Sequence, residues 1–345
     1  MHMNIFNRFS SKERYPVLWL VFATYLLLLA ARVVDATLLD RGNEYFSIIL
    51  LELLIFVLPS AVYLYFRRRS IAREAENSPK NQATESLPAN KNSSFITRPV
   101  TPLSLRALRI RIPRTSHILL IISATLALIT GGLLLSIVFG NIDSLGSSFS
   151  LYDTFISKNN SSTGSTLYLI FVFALLPAIC EEFLFRSLLC SEIEASGALP
   201  ALLISSLFFG LLHFNLSLLP LYIYSGLLLA LTMYISRSVI TAVMVHFLYN
   251  LFGIFSRSRV AVFYKTTGSL GLFMSILVIL FLLSVSLFCF SAGRLYRRYA
   301  ERNLNPRHPV GQSPLKTGRA LLSVISSPPA ILCIVVFILT IIIFR

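Results

Sequence analysis

The run Leu167-Tyr168-Leu169-Ile170-Phe171-Val172-Phe173-Ala174-Leu175-Leu176-Pro177-Ala178-Ile179-Cys180-Glu181-Glu182-Phe183-Leu184-Phe185-Arg186-Ser187-Leu188-Leu189 decides the fold. At ~1.5 Å per helical residue it is long enough for the ~30 Å of a bilayer's hydrocarbon. Eight further apolar runs, at 16–34, 46–66, 116–139, 198–214, 216–234, 238–255, 269–290 and 322–344, have comparable character. Inside lipid the backbone must satisfy its own polar groups, so these runs predict helices. The ~10-residue alternating segments of a barrel are missing. The expected fold is therefore all-α, a polytopic transmembrane bundle of about nine helices.

Composition agrees. The chain has 345 residues, 55% hydrophobic and 13% charged, with mean hydropathy +0.75. A soluble domain carries about 25% charged residues. The net charge of +15 would suggest nucleic acid in a soluble protein. Here it reads as topology, because basic residues gather in cytoplasmic loops. With the N-terminus inside, 22 Lys and Arg fall on the inner side and 7 on the outer. Nine crossings then put the C-terminus outside. The partners expected are the lipid bilayer and a membrane peptide, not nucleic acid. The four cysteines, Cys180, Cys190, Cys289 and Cys333, form no close pair and suggest neither a disulfide framework nor a cysteine zinc site.

The expected organisation is an N-terminal two-helix membrane region (1–66), a basic disordered cytoplasmic loop (67–115), a membrane region (116–255) and a C-terminal two-helix membrane region (256–345). The loop is rich in Asn, Ser, Pro and Lys between Glu74 and Pro102. Its Arg106, Arg109, Arg111 and Arg114 set orientation or meet anionic headgroups.

A charge at mid-helix in a membrane costs ~2.5–3.5 kcal/mol on insertion scales, so each such residue needs a reason. The clear cases are Glu52, Glu181, Glu182 and Arg186, joined by the polar His213, His246 and Asn250. All except Glu52 fall within 177–250. Glu52, about seven residues into its run, reads as interfacial or packing. Glu182 and Arg186 are four apart, on one helix face, in the better order for an ion pair. Glu181 points ~100° away and is the spare carboxylate. A carboxylate without its own cation is suited to take a proton from water. Phe209 with His213, and His246 with Asn250, repeat the four-residue spacing. Three helices thus offer a carboxylate, two imidazoles and an amide. Such a set can position a water directly or hold a divalent metal. No HExxH, Gly-x-Ser-x-Gly or P-loop pattern is present.

In these residues the chain resembles the CPBP intramembrane proteases, the type II CAAX prenyl endopeptidase and bacteriocin-processing (Abi) family. That family's pattern of Glu-Glu-x-x-x-Arg, Phe-x-x-x-His and His-x-x-x-Asn reads here Glu181-Glu182…Arg186, Phe209…His213 and His246…Asn250. Tyr224-Ser225-Gly226-Leu227 on an intervening helix is also similar. The resemblance covers about 165–255 and implies a CAAX-protease-like four-helix catalytic core. It implies an endopeptidase acting on a membrane-associated or lipidated peptide. Glu181 would activate water, His213 would position it, and His246 and Asn250 would stabilise the oxyanion. Glu182, Arg186 and Phe209 would be structural support. A metal such as zinc, if used, would take Glu181, His213 and His246 as ligands; the metal-free reading is preferred. The alternatives by class are a proton- or cation-coupled transporter and a non-catalytic scaffold or immunity protein. A pocket opening toward the cytoplasmic half is expected.

One geometric demand follows. Counted from the inner ends of their runs, Glu181 is about eight residues deep and His213 about fifteen, a mismatch of ~10 Å. Either the 198–214 helix is recessed, with Pro200 in its first turn, or the 167–189 helix is shifted or kinked at Pro177.

Overall fold

A computed structural model describes residues 15–38, 49, 52–77, 108–140, 163–302 and 314–344. Among them every regular element is helical. Helix α1 is Val17–Leu38. A π-turn, Leu53–Val57, leads into α2, Leu58–Asn77. Helix α3 is Ile118–Phe139, preceded by a 3₁₀ turn. The decisive run becomes one span, Thr166–Ser196. Its α-helical parts are α4 (Thr163–Ile170), α5 (Leu176–Glu182) and α6 (Cys190–Ile193), separated by π-turns at Phe171–Leu175 and Phe183–Leu189. Then follow α7 (Ala198–Leu212), α8 (Leu219–Ser236), α9 (Val239–Phe255), α10 (Arg257–Thr267), α11 (Leu270–Glu301), α12 (Pro314–Ile325) and α13 (Pro328–Ile343).

The nine apolar runs are mostly helical where they are described; the last is broken at Ser326-Ser327. Among the described residues five helices are long and apolar enough to cross a membrane, or seven if two bent helix pairs are each one crossing. The 15-residue α7 falls short. The chain is a multi-pass helical membrane protein. Two expectations change. The C-terminal region holds α10 and α12 besides its two apolar helices, and α12 meets α13 at 65°. Residues 67–77 continue α2, and Leu108–Ile110 lie against the core, so the segment 67–115 is not a loop throughout; 78–107 lie outside the described residues.

Segment 108–111 is a strap. Arg109 pairs with Glu194 and lies over the Tyr234 ring at 4.4 Å. Its carbonyl accepts from the Val239 amide at 3.0 Å, and the Arg111 carbonyl accepts from the Ser238 hydroxyl. Ser187 donates to the Leu108 carbonyl at 3.1 Å. Arg109, at 8% exposure, therefore holds helix ends together instead of facing lipid headgroups.

The expected depth mismatch disappears for a simple reason. The span runs on to Ser196, seven residues beyond 189, and turns at Gly197, whose φ of 124° suits glycine. Glu181 is sixteen residues before this turn and His213 sixteen after it. Two helices leaving one tight turn bring equidistant residues to the same level. Phe185 and Phe209, each twelve from Gly197, fix that register with rings 5.5 Å apart. Pro200 does sit in the first turn of α7, and π-turns flank the Pro177 segment. A π-turn carries an extra residue per turn and offsets the side chains beyond it.

Small residues let the core helices approach. A Cβ on Gly226 of α8 would lie 2.9 Å from Ser206 Cα and 3.1 Å from its carbonyl, both backbone atoms of α7. The Tyr224 hydroxyl donates to the Ala127 carbonyl of α3 at 2.7 Å. Helix α1 joins the same core: Tyr25 donates to the Phe208 carbonyl, and the Val17 amide to Glu192 at 3.2 Å. Because backbone cannot step aside as a side chain can, Gly226→Ala is expected to cost about 1–3 kcal/mol. Thermal unfolding of the detergent-solubilised protein checks this; an unchanged midpoint would mean the α7–α8 contact is looser than drawn.

Candidate active site

Glu182 lies at the centre of the polar cluster. It and Arg186 have no exposed surface. Its Oε2 is 3.1 Å from Arg186 Nε, one helical turn on, as the four-residue spacing requires. Its Oε1 accepts from His246 Nδ1 at 2.9 Å. Arg186 in turn donates through Nη2 to the Gly226 carbonyl at 3.0 Å and lies over the Phe209 ring at 4.4 Å. Four elements, α5, its following π-turn, α8 and α9, are tied by this one group. The missing Cβ of Gly226 keeps α8 close enough for its carbonyl to be reached.

Phe209 separates the two imidazoles. Its ring centroid is 5.1 Å from His213 and 5.8 Å from His246. His213 is not mid-helix. It caps α7, and the chain leaves through Phe214 at φ 47°. His213 Nδ1 bonds the Phe209 carbonyl at 2.9 Å. A carbonyl only accepts, so Nδ1 carries the hydrogen and Nε2 of the neutral ring presents a lone pair. His246 Nδ1 donates to the Glu182 carboxylate, and its Nε2 is left for the site.

Asn250, one turn beyond His246, donates through Nδ2 to the Ala174 carbonyl at 3.4 Å. Ala174 belongs to the π-turn before α5. One amide hydrogen is used and the second remains. Glu181 sits beside Glu182 on α5, and its Oε2 is buried with no hydrogen-bond partner. Buried carboxylate oxygens are normally paired, so this atom is unspent polar capacity at the site.

The structure thus joins Glu182, Arg186, Phe209, His213 and His246 in one cluster, with Asn250 a helical turn away and Glu181 adjacent in sequence. Two neighbours lie outside the expected site. Tyr222 stacks on His213, centroids 3.9 Å apart and planes at 15°. It is four residues before Gly226, on one face of α8, and that spacing was its signal. Glu52 immediately precedes the π-turn Leu53–Val57, which packs on α5. An ionisable group in an apolar run was the clue.

A metal does not fit this arrangement. Among the described residues no three His, Cys, Asp or Glu side chains gather as a metal-holding group. Of the conditional ligand set Glu181, His213 and His246, the two imidazoles use Nδ1 on Glu182 and on the Phe209 carbonyl. No step below passes through a metal.

Removing one partner of a buried pair leaves the other charge unpaired and costs about 3–5 kcal/mol. Glu182→Ala, which deserts both Arg186 and His246, is expected to lose that much. Chemical or thermal unfolding in detergent measures it, and a variant as stable as the parent would count against the pairing.

Compared with known families, residues 163–252 match the model described as type II CAAX prenyl endopeptidase Rce1-like. No curated protein and no solved structure gives a significant match. The matched stretch contains α5, α7, α8 and most of α9, the helices that carry the cluster. The match spans about a quarter of the chain, and over that stretch the chain is similar to the type II CAAX prenyl endopeptidase Rce1-like family.

Proposed function

We propose that the chain is an intramembrane endopeptidase that hydrolyses a peptide bond of a membrane-associated peptide or protein. The observation that carries this reading is the buried, partnerless Oε2 of Glu181, adjacent in sequence to the Glu182 that holds the His246 imidazole. An orphaned acceptor calls for a guest with a hydrogen to give, and water is the simplest.

In the proposed reaction, Glu181 and the Nε2 lone pair of His213 hold a water molecule. Glu181 takes a proton from it as the oxygen attacks the peptide carbonyl. The new C–O bond pushes charge onto the carbonyl oxygen. The spare amide hydrogen of Asn250 meets that charge. His246 meets it through Nε2 when the ring carries both protons, as an imidazolium facing the Glu182 carboxylate. The tetrahedral intermediate then breaks at C–N, and the proton on Glu181 passes to the leaving amine. In acyl chemistry, donors aimed at developing charge usually lower the barrier more than any other single feature.

Glu182 and Arg186 serve as support in this scheme. Phe209 keeps the imidazoles apart, and Tyr222, stacked on His213, fixes the plane of that ring.

Glu181→Gln keeps shape and loses the base, so turnover is expected to fall ~10²–10⁴-fold with folding intact. Quantitative proteomics of membranes carrying parent or variant tests this even while the substrate is unidentified. A precursor should accumulate with the variant; identical peptide profiles would refute the peptidase reading. Asn250→Ala removes one oxyanion donor and is expected to lower kcat ~10²–10³-fold with little change in KM. An effect confined to KM would move Asn250 from the chemistry to binding.

A further inference from the structure

The bundle has two distinguishable ends, and the contacts between helices identify them. At one end meet Tyr15 with Ser196 (2.8 Å), Ser238 with the Arg111 carbonyl, and Tyr299 with the Ile235 carbonyl (3.1 Å). At the other end Gly140 lies against Leu218, Arg32 donates to the His213 carbonyl (3.4 Å), and Phe214 stacks on Phe337 at 6.3 Å. Among the described residues the first end carries Arg67–Arg69, Arg109, Arg111, Arg114, Arg237, Arg294, Arg297 and Arg298. The charge rule makes it cytoplasmic.

The polar cluster is not symmetric between these ends. On its basic side it is sealed: Leu184, Phe185, Arg186, Ser187, Ser205 and Phe208 have no exposed surface. The strap 108–111 lies beyond them. On the other side the groups are partly open. Glu181, His213, Tyr222 and Asn250 all keep some exposure, and Leu216 and Ser217 of the following turn are exposed. Distances along the chain agree. His213 is fifteen residues from the basic end of α7, whereas Tyr222 is only three from the opposite end of α8 and Asn250 five from that of α9.

We infer that the site is entered from the end of the bundle opposite the basic segments, which is the extracytoplasmic end, so that its peptide is presented from the outer half of the membrane. This reverses the expected cytoplasmic opening. The part concerning a peptide rests on the proposed peptidase reading; the direction of the opening does not. The substrate class this selects is an exported or membrane-anchored peptide whose cleavage point lies in the outer half, not a lipidated tail presented from the cytoplasm.

The test is independent of catalysis. In the full chain with Cys289→Ser, a single cysteine is introduced at Ser217, in the exposed turn beside His213, or at Glu301, exposed at the basic end. Leu216→Cys duplicates Ser217→Cys in case that variant fails to assemble. Cells carrying each variant in the plasma membrane are treated with a membrane-impermeant maleimide before and after permeabilisation. The expected result is labelling of Ser217→Cys in intact cells, and of Glu301→Cys only after permeabilisation. The reverse pattern would overturn the inference. If the labelling is as expected but no precursor accumulates with Glu181→Gln, the peptidase reading fails while the direction of the opening stands.

Discussion

A carboxylate fully removed from water, shared between a guanidinium and an imidazole, is the constraint on which the other features depend. Glu182 sits 3.1 Å from Arg186 Nε and 2.9 Å from His246 Nδ1. A buried ion pair gains little over apolar residues of the same volume, because desolvation offsets the attraction. Its value here is positional. It fixes the rotation of α5, brings α9 alongside with His246 in one ring orientation, and draws the α8 backbone onto Arg186. Phe209 completes the enclosure by lying under the guanidinium, a cation–π contact made stronger by exclusion of water.

That cluster can form only because the two halves of a hairpin are in register. Gly197 turns the chain, and the Phe185–Phe209 contact sets which residues face each other. A span ending at 189 would have put Glu181 and His213 at different depths. The extra turn to Ser196 is made of Ser191-Glu192-Ile193-Glu194-Ala195-Ser196, a sequence that alone reads as a polar loop. It stays helical because its acids find partners on distant segments. Glu192 accepts from Tyr63 and from the Val17 amide, and Glu194 pairs with Arg109. Helices α1 and α2 and the strap thus bear indirectly on the site's geometry.

This explains what could be read from the sequence and what could not. Helical class followed from segment length and hydropathy, and the Glu182–Arg186 pair from a spacing of four. Both are local. The family pattern picked out Glu182, Arg186, Phe209, His213 and His246, which the fold gathers. The end of the span at Ser196, the burial of Arg109, the stacking of Tyr222 on His213 and the approach of Glu52 to α5 depend on pairings between separate segments, some more than a hundred residues apart. Periodicity along the chain does not reveal them. Arg109 is the instructive case. In sequence it is one of four arginines flanking α3; its partner Glu194 and its platform Tyr234 lie 85 and 125 residues away.

Adjacent Glu181 and Glu182 divide the labour by a ~100° step around one helix. Glu182 faces Arg186 and His246, and that charge is committed. Glu181 shares the desolvated setting but has an oxygen with no hydrogen-bond partner. The same division runs through the cluster. His213 and His246 each spend Nδ1 on an anchor and keep Nε2, while Asn250 spends one amide hydrogen on Ala174 and keeps the other. Each group is half used, and the used half is the one that holds the fold. The collection of these groups around α5, α7 and α9 is what a pocket built for a transient polar guest requires.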